Sequence, residues 1–434
     1  MPTGKNILGC FARINRMVTG GYAIMMNMEK YTPSKKILEK YADVLVNFAL
    51  GGGEGIKKGD VVLVGGSEAS RPLFIELLKT VWRAGGHVIS RYGMDTYSDE
   101  DNIDRWFFEN ASDAQIGYFK RDYTKGLVKQ IDHQVDIIAD TNLRALSGVD
   151  PTKMMKRGLA HKPARDWLEK KENLGKFSWT LGLYGTEAMA KEAGLSIAEY
   201  WEQIIRACFL DLPDPIKKWR EVYREIGDIC RKLNEMKIEW VRVEGKDLAL
   251  RMKIGADRKW VGGGGRNVPS FEIFTSPDWR GTEGWAKFNQ PLYRYGDLIE
   301  GVELRFAGGK VVEAKASKNE KLLKEMISTK GAEKIGEFSL TDARHSKITK
   351  FMAETLFDEN MGGRYGNTHI AVGASYHDCY GGDCSKVTKA EWARRGFNDS
   401  SVHTDLVSTT NRVVTAELLD GRTRVIYRDG KFCG

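Results

Sequence analysis

His403–Thr404–Asp405 sets an imidazole and a carboxylate two positions apart. On a β-strand, residues at that spacing project from the same face. A neutral ring nitrogen beside a carboxylate oxygen suits a borderline divalent metal. The motif is short and arises often by chance, so its surroundings decide its weight. The chain has seven histidines, and four of them, His345, His369, His377 and His403, lie after residue 340. In the same half Glu272 lies in the alternating run 271–275 and Glu337 among strand formers in 336–340. Glu359 lies in the polar segment 357–360, ahead of a short apolar strand that begins at His369. A carboxylate inside an apolar strand must be paired, hydrogen-bonded or metal-bound, unless it faces solvent on a half-exposed sheet. Taken singly, each glutamate fits the solvent-facing alternative. Three of them, with a histidine and the His403–Asp405 pair in one half of the chain, point to a carboxylate-rich site for two metals.

The elements that must position these residues fall into two textures. Helical spacing of Ile37, Leu38, Tyr41, Leu45 and Phe48 predicts a helix over residues 33–50, stopped by Gly51–Gly52–Gly53. An apolar strand at 61–64, a helix at 70–83 and a strand at 87–90 make a βαβ unit, which requires parallel strands. Further strands are predicted at 135–139 and 179–183, so residues 31 to about 195 read as an open α/β domain. Two amphipathic helices follow, one marked by Trp201, Ile204, Ile205 and Cys208, the other by Trp219, Val222, Ile226 and Ile229. From about residue 238 the pattern alternates in the antiparallel manner, as in Leu248, Leu250 and Met252, or in the hairpin turned by Gly308–Gly309. The predicted organisation is a possible flexible arm over residues 1–30, an α/β domain with parallel sheet and helical extension over 31–235, and a mixed, largely antiparallel sheet domain carrying the metal site over 236–434. The Gly51–Gly52–Gly53 run precedes a strand and does not fit a phosphate loop, and Gly65–Gly66–Ser67 reads as a tight turn after a strand.

Composition narrows the function classes. With 434 residues, 41% hydrophobic and 29% charged, the chain is long enough for two cores. The 67 basic and 59 acidic residues are interleaved, so the net charge of +8 reads as a mixed surface and no nucleic-acid partner is expected. No apolar run approaches the roughly 20 residues that span a bilayer, so no membrane partner is expected either. Six sparse cysteines without a C-x-x-C pair suggest reduced thiols and a cytoplasmic location.

The longer motifs carry a resemblance. Gly265–Arg266–Asn267–Val268–Pro269 with Glu272–Ile273–Phe274–Thr275–Ser276–Pro277 resembles the signature of the aminopeptidase T / aminopeptidase S family of dimetal metallo-exopeptidases. So do Thr355–Leu356–Phe357–Asp358–Glu359–Asn360, then His369–Ile370–Ala371–Val372–Gly373 with Tyr376, and Asn398–Asp399 through His403–Thr404–Asp405. Leu45–Val46–Asn47–Phe48 and Lys57–Lys58–Gly59–Asp60 resemble the family's start, so the likeness runs from roughly residue 37 to residue 430. It implies metal ligands at Glu272, Glu337, Glu359, His369, His403 and Asp405, with Tyr376 as the active-site tyrosine. Two metals a few Å apart need a bridging carboxylate, and Glu337 is the one expected to bridge. It further implies a homodimer, two divalent ions drawn from Zn, Co or Mn, and peptide substrates with a free N-terminus. Nine residues separate Glu359 from His369, more than the family has, and this insertion is expected to bear on the placement of Glu359 and on the substrate pocket. The run His377, Asp378, Cys379, Asp383 and Cys384 is rich in ligand types and offers a lesser second site, metal or redox.

Two other readings compete. A mononuclear iron dioxygenase that opens an N-heteroaromatic ring would use His369, His403 and Asp405 as a facial triad. Such a triad needs none of the three glutamates, and all are present. A non-enzymatic basic binding protein would be expected to lack ligands, and all six positions are kept.

Overall fold

A computed structural model describes residues 31–433, so the arm expected over residues 1–30 lies outside the described residues. The first helix, α1 (Lys35–Val44), buries Leu38, Tyr41, Ala42 and Val44 on one face. It widens into a π-turn at Leu45–Ala49 and ends where Gly51, Gly52 and Gly53 all take positive φ, a conformation that costs glycine little. Strand β1 (Val61–Ser67), helix α2 (Arg71–Arg83) and strand β2 (His87–Gly93) follow, with the two strands parallel. The Gly65–Gly66–Ser67 turn is a correction: these residues are the end of β1, paired with Arg91, Tyr92 and Gly93. A Cβ at Gly65 would lie 1.8 Å from Asp136 Oδ1, so a side chain here would displace that carboxylate.

Strand β3 (His133–Ile138) pairs with the other side of β1, and β4 (Ser178–Leu183), reached through the long helix α3 (Pro151–Asn173), pairs with β3. Helix α4 (Ile197–Ala207) buries Tyr200, Trp201 and Ile204, and α5 (Pro215–Glu235) buries Trp219, Val222 and Ile226, so both expected apolar stripes face the core.

The chain then becomes antiparallel. In order come β5 (Ile238–Gly245), β6 (Leu248–Lys253), β7 (Val261–Gly262), β8 (Asn267–Val268), β9 (Glu272–Thr275) and β10 (Asp278–Lys287). A small hairpin, β11 (Leu292–Arg294) and β12 (Asp297–Ile299), precedes β13 (Glu303–Ala307) and β14 (Lys310–Lys315). The last strands are β15 (Ile335–Thr341), β16 (Asn367–Gly373), β17 (His403–Ser408), β18 (Arg412–Leu418), β19 (Thr423–Arg428) and β20 (Lys431–Phe432).

Three larger sheets result. The parallel sheet has the order β2-β1-β3-β4-β8, an eight-stranded sheet runs β14-β13-β10-β6-β5-β18-β19-β20, and a five-stranded sheet runs β17-β16-β15-β9-β7. Strand β8 comes from the second half of the sequence yet pairs in parallel with β4, matching Leu181 to Asn267 and Gly182 to Val268. Behind β9, Phe271 stacks on Trp219 with ring centroids 5.2 Å apart, and Trp219 also packs edge-on against Phe209. Each fully buried ring contributes on the order of 2–3 kcal/mol, so the entry to β9 is held firmly from behind. Among the described residues, no helix is long and apolar enough to cross a membrane.

Candidate metal centre

Register explains how five of the six expected ligands meet. In an antiparallel sheet, residues directly opposite one another share a face. Glu337 on β15 is opposite Ala371 on β16, which is opposite Asp405 on β17. One step of two along the strands, Gly373 is opposite His403 and Ser339 is opposite His369. On the other side of β15, Thr341 is opposite Glu272 of β9. All of these residues keep the same parity, so Glu272, Glu337, His369, His403 and Asp405 rise from one face of four adjacent strands. Ala371 and Gly373 leave room between them, since no larger side chain separates Glu337 from Asp405. Glu359 comes from elsewhere, at the end of the short helix Thr355–Asp358, and is brought to the same face.

The distances define two overlapping donor sets. Ligand atoms of Glu272, Glu337 and His369 lie within 4.8 Å of one another, and so do those of Glu359, His369 and Asp405. His369 Nε2 is 3.0 Å from Glu337 Oε1 and 3.4 Å from Glu272 Oε2. His403 Nε2 is 3.7 Å from Glu337 Oε2 and 3.6 Å from Asp405 Oδ1. Glu337 therefore turns one oxygen to each histidine. His403 donates its Nδ1 proton to the Ala374 carbonyl at 2.8 Å, which fixes the tautomer and leaves Nε2 with a lone pair facing the acids.

The electrostatics are unbalanced. Four carboxylates share the site with two imidazoles, and among the described residues no lysine or arginine forms an ion pair with any of the four. Burial, then the neighbouring Glu272 and Asp405, pushes Glu359 well above the usual carboxylate range. Burial and the Glu272 charge push Glu337 up, against the His369 hydrogen bond that pulls it down. Burial pulls His369 down, but hydrogen bonds to Glu272 and Glu337 outweigh it and hold the ring well above its ordinary value. Buried charges of one sign are costly unless a counter-ion sits among them. The donor set, carboxylate oxygens with two imidazoles whose protons a cation can displace, is the chemistry of a divalent metal site, and these residues fit one.

Outer contacts hold the acids in place. Asn267 Nδ2 donates to Glu359 Oε1 at 3.0 Å, and Ser270 Oγ donates to Glu272 Oε1 at 3.0 Å. The Phe271 amide donates to Asn360 Oδ1 at 2.6 Å, tying β9 to the segment that carries Glu359. Asn267 and Ser270 had no assigned role in the sequence; Asn267 is in the first quoted signature and Ser270 just beyond it, and only long-range geometry gives them one.

A cavity of about 260 Å³ lies against the ligand face. Glu272, Glu337, Glu359, His403, Asp405, Tyr376 and Arg266 line it on the metal side, and Ile138, Trp179 and Leu181 of the parallel sheet line it too. The Tyr376 ring packs edge-on to His403 at 4.8 Å and lies 5.4 Å beneath the Arg266 guanidinium. Arg266 is in turn held by Glu172 of α3 and by Asp378. Burial and the Glu337 and Asp405 charges raise Tyr376 well above its ordinary value, so the phenol keeps its proton.

Two expectations need correction. The insertion between Glu359 and His369 is not part of the cavity wall: none of residues 361–366 lines it. Instead the inserted loop meets β19 of the eight-stranded sheet and the end of β15 of the five-stranded one. Tyr427 donates to the Tyr365 carbonyl, and a Cβ at Gly366 would lie 2.1 Å from the Thr341 carbonyl oxygen. The ligand-like run after Tyr376 is also dispersed. His377 stacks on Trp392 at 4.0 Å and pairs with Glu169, Cys379 is buried among Phe274, Trp392 and Phe397, and Cys384 donates to the His377 carbonyl. Neither donor set among the described residues includes them.

Comparison with known proteins agrees with the geometry. The chain is 26% identical to aminopeptidase PepS of Streptococcus thermophilus, over 91% of this chain and 98% of that protein. It is 26% identical to aminopeptidase T of Thermus thermophilus, over 92% of this chain and 98% of that one. The solved structure of wild-type AmpT from Thermus thermophilus shares the fold, with a TM-score of 0.76 at 23% identity, over 92% of this chain and all of that one. The family model described as thermophilic metalloprotease (M29) matches residues 34–432, nearly every described residue, and the chain belongs to that family.

Proposed function

We propose that this chain is a metal-dependent aminopeptidase that removes the N-terminal residue of peptides. Glu272, Glu337, Glu359, His369, His403 and Asp405 would hold two divalent ions, Zn, Co or Mn. The observation that carries this reading is the pair of donor sets that share His369, each within 4.8 Å, whose carboxylates form no ion pair with a lysine or arginine among the described residues. Glu337, with one oxygen toward each histidine, would be the carboxylate shared by the two ions. When bound, the metals would supply Lewis-acid polarisation of the scissile carbonyl and a water acidified to neutral pH.

The chain's own groups do the rest. The free α-ammonium of a peptide is drawn to the acid-rich face, which favours substrates with a free N-terminus. Tyr376, protonated and beside His403, donates a hydrogen bond to the oxyanion that develops at the scissile carbonyl. A carboxylate of the cluster takes the proton of the attacking water and returns it to the leaving amine. Residues 236–434 form the catalytic part on this reading, with Ile138, Trp179 and Leu181 of the first half completing the wall. A cytoplasmic homodimer is the accompanying expectation.

The test is metal content per chain on the purified protein, with hydrolysis of amino-acid p-nitroanilides before and after chelation. Two Zn, Co or Mn per chain and chelator-sensitive release of the first residue are expected. One iron per chain with no peptidase activity would overturn the reading in favour of a ring-opening dioxygenase built on His369, His403 and Asp405.

A further inference from the structure

One side chain reaches from the parallel sheet to the ring beside the metal centre. Arg266 stands directly before β8, and its carbonyl accepts the Leu181 amide of β4 at 2.9 Å. Just before it, Gly265 takes a φ of +74°, and a Cβ there would lie 2.0 Å from the Ala49 carbonyl oxygen. The backbone of Arg266 is therefore seated on the first half of the chain, and its guanidinium reaches a segment of the second. Nε and Nη2 donate to Glu172 Oε1 of α3 at 3.1 and 2.9 Å, and Nη1 donates to Asp378 Oδ2 at 2.5 Å. The edge of the guanidinium is thus matched by two carboxylates of the chain itself, and its planar faces remain for rings. The Tyr376 ring centroid lies 5.4 Å from its Cζ and the Trp179 centroid 6.0 Å. A guanidinium at that range is attracted to an aromatic face, and a fixed fork keeps it there.

Tyr376 depends on such neighbours. Its amide donates to Ser276 Oγ at 2.9 Å, which holds its backbone. Its ring meets His403 at 4.8 Å and Phe274 at 5.8 Å, both edge-on. Among the described residues no hydrogen bond holds its hydroxyl, so the packing of the ring decides where that oxygen stands. Of the groups against the ring, Arg266 is the one tied by charge to α3 and to the segment after Tyr376.

We propose that Arg266 is the positioning residue of Tyr376: clamped by Glu172 and Asp378, its guanidinium holds the phenol ring against His403, so that the hydroxyl meets the scissile carbonyl; this rests on the aminopeptidase reading above. Arg266 itself touches no reacting atom. Its effect passes through the Tyr376 hydroxyl, and that separates it from a plain tie between α3 and Asp378. A tie costs the same with or without the hydroxyl, whereas a positioning residue loses its effect once the hydroxyl is gone.

The experiment is a double-mutant cycle on the metal-loaded full chain with an amino-acid p-nitroanilide, using Arg266→Met, Tyr376→Phe and the two together. Arg266→Met is expected to lower kcat roughly 5- to 30-fold, with KM within about twofold and metal content per chain unchanged. In the Tyr376→Phe chain the same substitution is expected to cost less than about twofold. An equal loss in both backgrounds, or a loss carried by KM, overturns the proposal. Should Arg266→Met fail to fold, Arg266→Lys, which keeps the cation and gives up the fork, runs the same cycle against the same outcomes. A second measurement needs no turnover. With the tyrosines labelled at Cζ with carbon-13, the Tyr376 resonance, identified by its absence in Tyr376→Phe, is expected to move in Arg266→Met without metal or substrate. A resonance that stays in place overturns the proposal. No turnover by the unmodified chain with metals bound is a different result: it overturns the aminopeptidase reading, and the resonance still decides whether Arg266 places the ring.

Discussion

Two histidine–carboxylate clusters in this chain have similar parts and opposite states of completion. At the start of the parallel sheet, His133 Nε2 meets Asp60 Oδ2 at 2.9 Å and Nδ1 meets Ser178 Oγ at 2.8 Å. The same Asp60 oxygen accepts the Lys57 amide at 2.6 Å, and the Gly51 amide donates to Ser178 Oγ at 2.8 Å. One acid serves one ring, both ring nitrogens are used, and the cluster ties the starts of β1, β3 and β4 to the glycine stop after α1. Burial raises Asp60, but the Lys57 amide and His133 outweigh it and hold the carboxyl below its ordinary value. At the metal centre four acids face two rings, Glu337 and Glu359 are pushed up, and His369 Nδ1 has no hydrogen-bond partner among the described residues. A closed polar network stabilises the fold around it, and an open one is stable only with something more inside it.

If that contrast is right, the largest effect belongs to the open cluster. His369→Ala and Asp405→Ala should each cut metal-dependent turnover roughly a thousandfold or more, with an unchanged far-ultraviolet dichroism spectrum. Full activity in either would break the comparison. Tyr376→Phe should lower kcat by roughly 10²–10³-fold and leave metal content alone, as loss of an oxyanion donor does. A parallel loss of metal would instead make Tyr376 a support for His403.

The pH response sharpens the contrast by its sign. Glu354, faced by Asp358, Asp140, Tyr41 and Tyr200, is pushed by burial and the Asp358 and Asp140 charges up to about 8 from an ordinary 4.5. Its neutral form contributes stability that is intact below 4.5 and is lost as pH rises through about 8. Glu354→Gln should therefore unfold at higher temperature than the unmodified chain at pH 9, by on the order of a few kcal/mol in stability, with the gap closing at pH 4. Asp60 behaves oppositely: its contribution is present above its unfolded value and is lost as pH falls through the lower, folded one.

Smaller effects follow. Asn267→Ala removes the donor to Glu359 and should weaken metal affinity roughly 10- to 100-fold in an equilibrium competition with a chelator. His133→Ala should cost roughly 1–3 kcal/mol in urea unfolding and leave metal stoichiometry untouched. Loss of metal from His133→Ala would show that the two clusters are not independent.

Much of this was legible because strand periodicity is local. Glu272, Glu337, His369 and the His403–Asp405 pair all sit in runs whose alternation marks a strand, and alternation fixes which side chains share a face. What alternation does not give is the order of strands. That Ala371 stands between Glu337 and Asp405, or that Asn267 reaches Glu359, depends on pairings across long stretches of chain. The length of the 361–366 loop was visible and its direction was not, because the Thr341 carbonyl and Tyr427 that receive it are distant in sequence.

The two-residue strand β8 ties completion of the metal centre to the docking of a short edge on the parallel sheet. It is seated on β4 by main-chain pairing and carries Asn267, which holds Glu359. A refolding chain can build its helices and its separate sheets early, yet it gains a competent centre only when this short edge finds its place. Recovery of metal affinity and turnover should therefore lag behind recovery of secondary structure, which makes activity the late reporter of maturation.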